Sequence, residues 1–392
     1  MYWKRILVAL LACTFLLGGM PGPVAAAPEA KPESAGDKPA LETTADAAVL
    51  MENSTGRVLL AKEPDKELPM ASVTKIMTLL LAVEAVEQGK VKLTDRVVTS
   101  ENAWEMGGSQ IYLEPGEEMS LEEMLIAVAV GSANDASVAV AEHVLGSEEA
   151  FVQAMNERAK QLGLKHTHFV NPTGLPAKGH YTSAHDMAVI MRECLKYPLF
   201  KRISSIYEYD LRGGEFKLWN TNKLLKWFQG TDAGKTGWTN EAKYCLASSA
   251  ERDGLRLIAV VLGTPEPRSH FRESIKLYKY GFARFQAVKL AGKGETVKQL
   301  PVGKGVADKL AVVPAAPVSV VAPRGEQKGF AMRLELPARV TAPVVKGQKV
   351  GECVVVKNGR EELRVPLVAG HDVPKAGLGQ QIQRMFTRLY GG

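Results

Sequence analysis

Ser72 and Lys75 stand three residues apart in Pro69-Met70-Ala71-Ser72-Val73-Thr74-Lys75-Ile76, just ahead of an apolar run from Ile76 to Leu81. On a helix this spacing puts both side chains on one face, with Cβ atoms about 5 to 6 Å apart, so the amine can reach the hydroxyl. A lysine in the first turn of a buried helix is disfavoured as an ammonium twice, by desolvation and by the positive end of the helix dipole. Pushed toward neutrality it is a base, and the serine is the nucleophile it would activate. A serine cap beside a lysine that snorkels outward fits the same letters, and one S-x-x-K arises by chance about once in a chain of this size.

Two further motifs change the balance. Sixty residues on, Gly131-Ser132-Ala133-Asn134-Asp135 interrupts two apolar segments with an S-x-N turn. Ser132 offers a hydroxyl that can relay a proton between Lys75 and a leaving amine, and Asn134 can bond both the lysine and a substrate amide. Read structurally, the same residues are a helix end with Asn134 as the next N-cap. Later, Gly234-Lys235-Thr236-Gly237-Trp238 opens a strand-rich region. Lys235 can meet a substrate carboxylate, Thr236 can hydrogen-bond it, and Gly237 leaves room for a peptide along the strand edge.

S-x-x-K, S-x-N and K-T-G in this order resemble the serine penicillin-recognising enzymes. Within them, PMASVTKIMT, GSANDAS, the segment from His166 to Ala188 and KTGWTNEAKYCLASSA are most similar to the low-molecular-weight D-alanyl-D-alanine carboxypeptidases of the S11 peptidase family. The resemblance covers nearly the whole mature chain and looks closest to the variety of endospore-forming Gram-positive bacteria. It implies that Ser72 is acylated by the penultimate D-alanine of a peptidoglycan stem peptide, and that β-lactams acylate the same serine. Lys75 would take the serine proton, and Ser132 with Asn134 would pass it to the leaving amine. Lys235 and Thr236 would hold the terminal carboxylate with help from Arg268, and the backbone N–H groups of Ser72 and Trp238 would form the oxyanion hole. Two positions depart from the family pattern: Ala133 stands where glycine or aspartate is common, and Trp238 where histidine or phenylalanine is frequent. Neither removes a functional atom.

A class A β-lactamase shares the motifs but needs a deacylating glutamate, and no E-x-x-L-N lies between Asn134 and Lys235; Glu142, Glu148, Glu149 and Glu157 read as surface positions on helices. A non-catalytic wall-binding module would predict damaged motifs, whereas all three are intact. No metal, cofactor or nucleic acid is called for.

The elements that must position these residues read as an α/β domain over residues 46–286. Ala47 to Met51 and Arg57 to Ala61 flank a turn and predict a hairpin. Helices are expected at Ser72 to Glu87, Leu121 to Val130 behind a capping box at Ser120 and Glu123, Asp135 to Leu145, Ser147 to Leu162, Tyr181 to Tyr197 and Arg272 to Phe285. Tyr244 to Ala250 and Leu255 to Leu262 predict a second hairpin. The fold class is β-lactamase/transpeptidase-like, an antiparallel sheet against a helical cluster.

Residues 287–370 lose helical periodicity and become Val-rich strands between Gly and Pro turns, a small all-β domain. In the last segment, 371–392, Leu378, Ile382, Met385, Phe386 and Leu389 form one helical stripe with Lys375, Arg384 and Arg388 off it, which predicts an amphipathic helix lying on a membrane surface.

At the other end, Lys4 and Arg5, the apolar run Ile6 to Leu17 and Val24-Ala25-Ala26 describe a signal peptide, residues 1–26, cleaved before the Ala-, Pro- and Glu-rich spacer 27–45. Export to the outer face of a bacterial cytoplasmic membrane follows. Cys13 leaves with the signal, so Cys194, Cys245 and Cys353 remain, too few and too scattered for a disulfide framework. The formal charge of +6 hides an asymmetry: residues 27–286 carry 30 Lys+Arg against 35 Asp+Glu, and residues 287–392 carry 17 against 8. The basic end suits an anionic membrane surface or an anionic polymer.

Overall fold

The computed structural model describes residues 42–377, 379 and 380; the expected signal peptide, nearly all of the spacer and most of the terminal helix lie outside the described residues. Strands β1 (Ala47–Glu52) and β2 (Val58–Lys62) form the expected hairpin, whose turn is closed by the Glu52 carboxylate accepting from the amides of Ser54 and Thr55. A 3₁₀ turn, Ala71–Thr74, then leads into α1 (Lys75–Glu87). A ribbon of β3 (Arg96–Val98) and β4 (Glu118–Ser120) encloses the short α2 (Glu101–Trp104). Helices α3 (Leu121–Ile126), α4 (Asn134–Leu145), α5 (Glu148–Gln161), α6 (Ala184–Cys194) and α7 (Pro198–Ser204) build the helical cluster. A second ribbon, β5 (Glu208–Leu211) with β6 (Phe216–Trp219), and α8 (Leu224–Trp227) precede β7 (Thr231–Thr239), β8 (Lys243–Arg252) and β9 (Leu255–Thr264), and α9 (Ser269–Arg284) follows.

The main sheet is antiparallel throughout, in the order β2-β1-β9-β8-β7, so β9 from late in the chain sits between β1 and β8 and leaves β7 at an edge. Alternate residues of β1 serve two cores. Ala47, Val49 and Met51 join the cluster around α1 and α4, while Ala48 and Leu50 join the one beneath α9 with Leu277 and Tyr278. A period of two with both faces apolar is what a sheet covered by helices on each side requires. Helix α1 is buried at ten of its thirteen positions, including Ile76, Met77, Leu79, Leu80, Ala82 and Val83. Burial at about 1.5 to 3 kcal/mol for each large aliphatic side chain anchors its first turn to the sheet.

The structure changes several sequence expectations. Ser72 and Lys75 are not on one continuous α-helix: Ser72 lies in the 3₁₀ turn and Lys75 opens α1. The helix expected from Leu121 to Val130 keeps its capping box at Ser120 but passes at Ala127 into a wider π-type turn that ends on Ser132. Asn134 is the first residue of α4 rather than its N-cap; Ala133 takes that place in an extended conformation. Both ribbons were missed, because strands of three or four residues are too short to show a period of two.

The second domain begins where α9 runs directly into β10 (Phe285–Ala291). It continues through β11 (Lys298–Gly303), β12 (Lys309–Pro314), β13 (Val318–Pro323), β14 (Phe330–Glu335), β15 (Val340–Thr341), β16 (Lys349–Lys357) and β17 (Arg360–Ala369). β10 pairs with β13, and the other six form a sheet in the order β14-β16-β17-β12-β11-β15. Val373 and Lys375, placed by the sequence in the terminal helix segment, instead bridge to Val344 and Gly305, and Val373 and Ala376 are buried. The chain up to Gly377 therefore belongs to the β domain.

Candidate active site

Ser72 is held by a turn that other segments lock from two sides. Thr74 Oγ1 donates to the Ala71 carbonyl (2.8 Å) and meets His180 Nε2 (2.8 Å), and the Val170 amide donates to His180 Nδ1 (3.0 Å). Since Nδ1 accepts, the ring proton is on Nε2 and the chain runs in one direction, His180 to Thr74 to Ala71. Burial holds His180 neutral, with a pKa lowered to about 4. Two glycines face the Ser72 amide. A Cβ on Gly174 would fall 1.9 Å from the Ala71 oxygen and 2.9 Å from Ser72 N, and one on Gly237 would fall 2.9 Å from both Met70 O and Ser72 N. The K-T-G glycine therefore serves the approach of β7 to the serine turn, a different use from the peptide clearance expected of it.

Lys75 Nζ is buried, 3.0 Å from Ser72 Oγ, 2.6 Å from Asn134 Oδ1 and 2.5 Å from the Thr173 carbonyl. Burial first, and then the charge of Lys235, push its pKa well below the usual lysine value, against an opposing pull from Asp135. A neutral amine has two N–H donors and one lone pair. Three oxygens, those of Ser72, Asn134 and Thr173, thus surround the nitrogen, and once the amine is neutral its lone pair can accept the Ser72 proton. The amine is thereby oriented, while burial favours its loss of charge.

Thr173 reaches Lys75 through a loop organised by Asn171. Its Oδ1 accepts from the amides of Thr173 (3.1 Å) and Gly174 (2.7 Å) and from Thr173 Oγ1 (2.9 Å), and its Nδ2 donates to Leu175 O (3.0 Å). The sequence offered this segment only as part of a resemblance, with no role for Asn171, Thr173 or His180. The N-P-T-G string is turn chemistry that signals a loop, but nothing in it says which carbonyl will face a lysine almost 100 residues away.

On the opposite wall, Ser132 sits in the left-handed region (φ 62°, ψ 27°) at the end of the π-type turn. Asn134 Nδ2 donates to Gly107 O (2.6 Å), so one of its two N–H groups is used within the protein and the other remains for the expected substrate amide. Asp135 accepts from the Ile111 and Leu113 amides, and Ser109 O accepts from Asn134 N (2.7 Å). The loop before β4 is thus pinned to the head of α4.

Ser72, Ser132, Thr236, Gly237, Trp238 and Arg268 all line one cleft of about 430 Å³, together with Thr221, Lys223 and the aromatic group Trp227, Tyr244, His270 and Phe271. Lys235 lies under it, buried, donating to Thr236 O (3.0 Å), and burial lowers its pKa to about 7. Arg268 heads α9 with φ 65°, and Trp238 is half exposed at the rim, tilted against Tyr244. Every site residue read from the sequence therefore gathers at this cleft. No glutamate hydrogen-bonds to Ser72, Lys75 or Asn134 among the described residues, and Glu142 and Glu148 bond Asn102 instead. No group of His, Cys, Asp and Glu suited to a metal occurs among the described residues.

Comparison with known proteins meets the same residues. The family described as D-alanyl-D-alanine carboxypeptidase matches residues 32–266, and the C-terminal domain of penicillin-binding protein 5 matches residues 285–375. The chain is 42% identical over 379 residues to the D-alanyl-D-alanine carboxypeptidase DacF of Bacillus subtilis, covering 95% of this chain and 96% of that one. It is 34% identical over 342 residues to DacC of Escherichia coli, 85% of each. Among solved structures it is similar to penicillin binding protein 5 from Haemophilus influenzae, with TM-score 0.68, 34% identity, and coverage of 87% of this chain and all of the other. The buried lysine beside Ser72 thus sits in a chain that belongs to the D-alanyl-D-alanine carboxypeptidase family, peptidase S11.

Proposed function

We propose that the protein is a serine-type carboxypeptidase that removes the terminal D-alanine from peptidoglycan stem peptides, and that the cleft residues divide the work as follows. The arrangement of Lys75, buried with its Nζ within hydrogen-bond distance of Ser72 Oγ, Asn134 Oδ1 and the Thr173 carbonyl, is the observation that carries the reading. Ser72 Oγ attacks the carbonyl carbon of the penultimate D-alanine as its proton passes to Lys75. The oxyanion is met by the N–H groups of Ser72 and Trp238. The C–N bond then breaks, the leaving amine takes the proton by way of Ser132, and D-alanine departs. Water hydrolyses the ester and returns the proton to Ser72. Lys235, Thr236 and Arg268 hold the terminal carboxylate, which a charged Lys235 beneath the cleft favours.

A β-lactam acylates Ser72 by the same attack, but its leaving group stays tethered and shields the ester from water. Purified protein incubated with a peptide ending in D-Ala-D-Ala releases free D-alanine, and Ser72→Ala abolishes both release and labelling by a fluorescent penicillin. Release by the variant at the parental rate would overturn the assignment of the nucleophile.

Residues 1–26 are read as a signal peptide, 27–45 as a spacer, 46–284 as the catalytic domain and 285–377 as a β-rich stand. The stripe from Leu378 to Leu389 is read as a helix lying in the membrane surface. No helix among the described residues is long and apolar enough to cross a membrane. The basic balance of the C-terminal half supports a surface attachment to anionic lipid.

A further inference from the structure

The hairpin of β8 and β9 ends in a turn packed against the β domain, where a Cβ on Gly254 would meet that of Ala287 at 3.9 Å. Across the hairpin Glu251 pairs with Arg256 and Arg252 with Leu255, so the two pairs face opposite ways. Each face opens into a cavity at the seam between the domains. Glu251 and Arg256 border one of about 560 Å³, together with Arg192 and Lys201 of the first domain and Pro317 and Leu363 of the second. Arg252 and Leu255 border one of about 310 Å³, together with Phe285 and Arg324. Domain seams are frequent ligand sites.

Both cavities hold positive charge that no carboxylate meets. Arg192 Nε and Nη2 donate to the carbonyls of Asn53 (2.6 Å) and Ser54 (2.8 Å), and Arg324 Nε and Nη2 both donate to Phe282 O (3.2 and 3.0 Å). Arg252 Nε donates to Gln229 O (2.9 Å), and its guanidinium carbon lies 4.1 Å from the centre of the Phe228 ring. Carbonyls and rings hold a guanidinium in place without cancelling its charge. Lys201 makes no salt bridge or side-chain hydrogen bond among the described residues. By contrast, Arg256 is met by Asp232 and Glu251, Arg364 by Glu335, Glu352 and Glu361, and Lys196 by Glu193. The surplus is therefore Arg192 and Lys201 on one face of the hairpin, and Arg252 and Arg324 on the other, where Asp253 opposes them in part.

We propose that this seam binds an anionic polymer linked by phosphodiesters, with a phosphate in the cavity on each face of the hairpin. Nη1 of all three arginines is left unspent by these bonds, and a guanidinium fork suits the oxygens of a phosphate. Arg192, Lys201 and Arg252 are half-buried, set back where a flexible chain can enter and a flat bilayer cannot. Lys375, beside the proposed membrane helix, bridges to Gly305 and borders neither cavity. Both cavities take walls from both domains, so bound polymer braces one domain against the other and raises Tm.

The test titrates the full mature chain, at low ionic strength, with poly(glycerol phosphate), inorganic phosphate, poly-γ-glutamate and phosphatidylglycerol vesicles. Poly(glycerol phosphate) should bind more tightly than inorganic phosphate or poly-γ-glutamate and should raise Tm. Lys201→Gln, and Arg252→Gln with Arg324→Gln, should weaken it by about two- to fivefold per charge, whereas Arg192→Lys should retain it. Lys298→Gln with Lys309→Gln removes as much charge from the exposed β11–β12 pair and should change little. Lys201→Gln breaks no bond described here, so it keeps the test decisive if the arginine variant fails to fold. No binding of the polymer, an equal loss in the β11–β12 control, or equal affinity for inorganic phosphate or poly-γ-glutamate overturns the proposal. Vesicle binding that the seam variants weaken would do the same, by making the partner a membrane.

Discussion

The charge of Lys235 lowers the proton affinity of Lys75: two amines are buried at one cleft, and a proton on the first makes a proton on the second less favourable. The proposed mechanism needs them in opposite states, Lys75 as base and Lys235 as ammonium. Below pH about 7 Lys235 is charged, and above it the ammonium is lost. The pH profile of kcat/KM should therefore fall on the alkaline side near pH 7, and on the acid side where Lys75 takes up a proton. Lys235→Arg, whose charge persists, should move the alkaline limb upward. Lys235→Met should raise the acid limb, because Lys75 loses the neighbour that depresses it. A profile with unmoved limbs in both variants would show that the two amines do not communicate.

The glycines at the serine turn should separate stability from catalysis. Gly174→Ala puts a methyl 1.9 Å from the Ala71 oxygen at a φ of +84° and should cost roughly 2 to 4 kcal/mol, read as a lowered Tm. Gly237→Ala meets Met70 O and Ser72 N at 2.9 Å and should chiefly slow acylation, by about ten- to a hundredfold in penicillin labelling. Wild-type labelling in a folded Gly237→Ala protein would contradict the close approach of β7.

Asn171→Ala removes the acceptor of two loop amides and one hydroxyl. Thr173 O should then lose its fixed aim at Lys75, and kcat should drop about tenfold with a smaller change in KM, as expected when about 1 to 2 kcal/mol of hydrogen bonding to a positioning loop is lost. Steady-state kinetics on a D-Ala-D-Ala peptide decide this. An unaltered kcat would mean that the loop holds its shape without Asn171.

His180 binds its proton more weakly in the folded chain, at about 4, than at the ordinary histidine value of 6.5. Between these values the unfolded chain binds more protons, so stability contributed by neutral His180 is full above pH 6.5 and declines as the pH falls toward 4. Melting curves at pH 7 and pH 4.5 should show a Tm loss that is smaller in His180→Gln than in the parent. An equal loss in both would place the acid sensitivity elsewhere.

Ending the chain after Gly377 should release the protein from the membrane fraction with activity on a soluble peptide retained. Ending it before Val373 should also lower Tm, since Val373 is fully buried and bridges to Val344. Fractionation and melting of the two truncations separate anchoring from folding; unchanged membrane partition in both would reject the surface helix.

The residues proposed as nucleophile, base and carboxylate grip could be picked out because each lies in a short linear motif at an element boundary, and the order of the three narrows the chemistry. The domain order was legible from the change of period near residue 285. What stayed hidden acts through the backbone or across long separations. The Thr173 carbonyl is chemically the same as every other carbonyl until the fold brings it to Lys75. His180 is one of seven histidines and gains its role only when Thr74 and Val170 meet it from segments far apart in sequence. The π-type turn that aims Ser132 reads as ordinary helix, because Ala127 to Val130 are apolar in either geometry. Val373 went to the wrong element because a single buried valine beside an amphipathic stripe carries no sign of which partner it will have.

The pairing of β1 with β9 joins Ala47 to Leu262, so the centre of the sheet cannot close until more than 200 residues have followed the first strand. A chain made from its N-terminus thus delivers the serine and its base early, onto half of a scaffold. The strand that braces the site, and β7 with it, comes last. Long-range closure of this kind is slow, so the serine and its base gain their working surroundings only when β9 and β7 have paired.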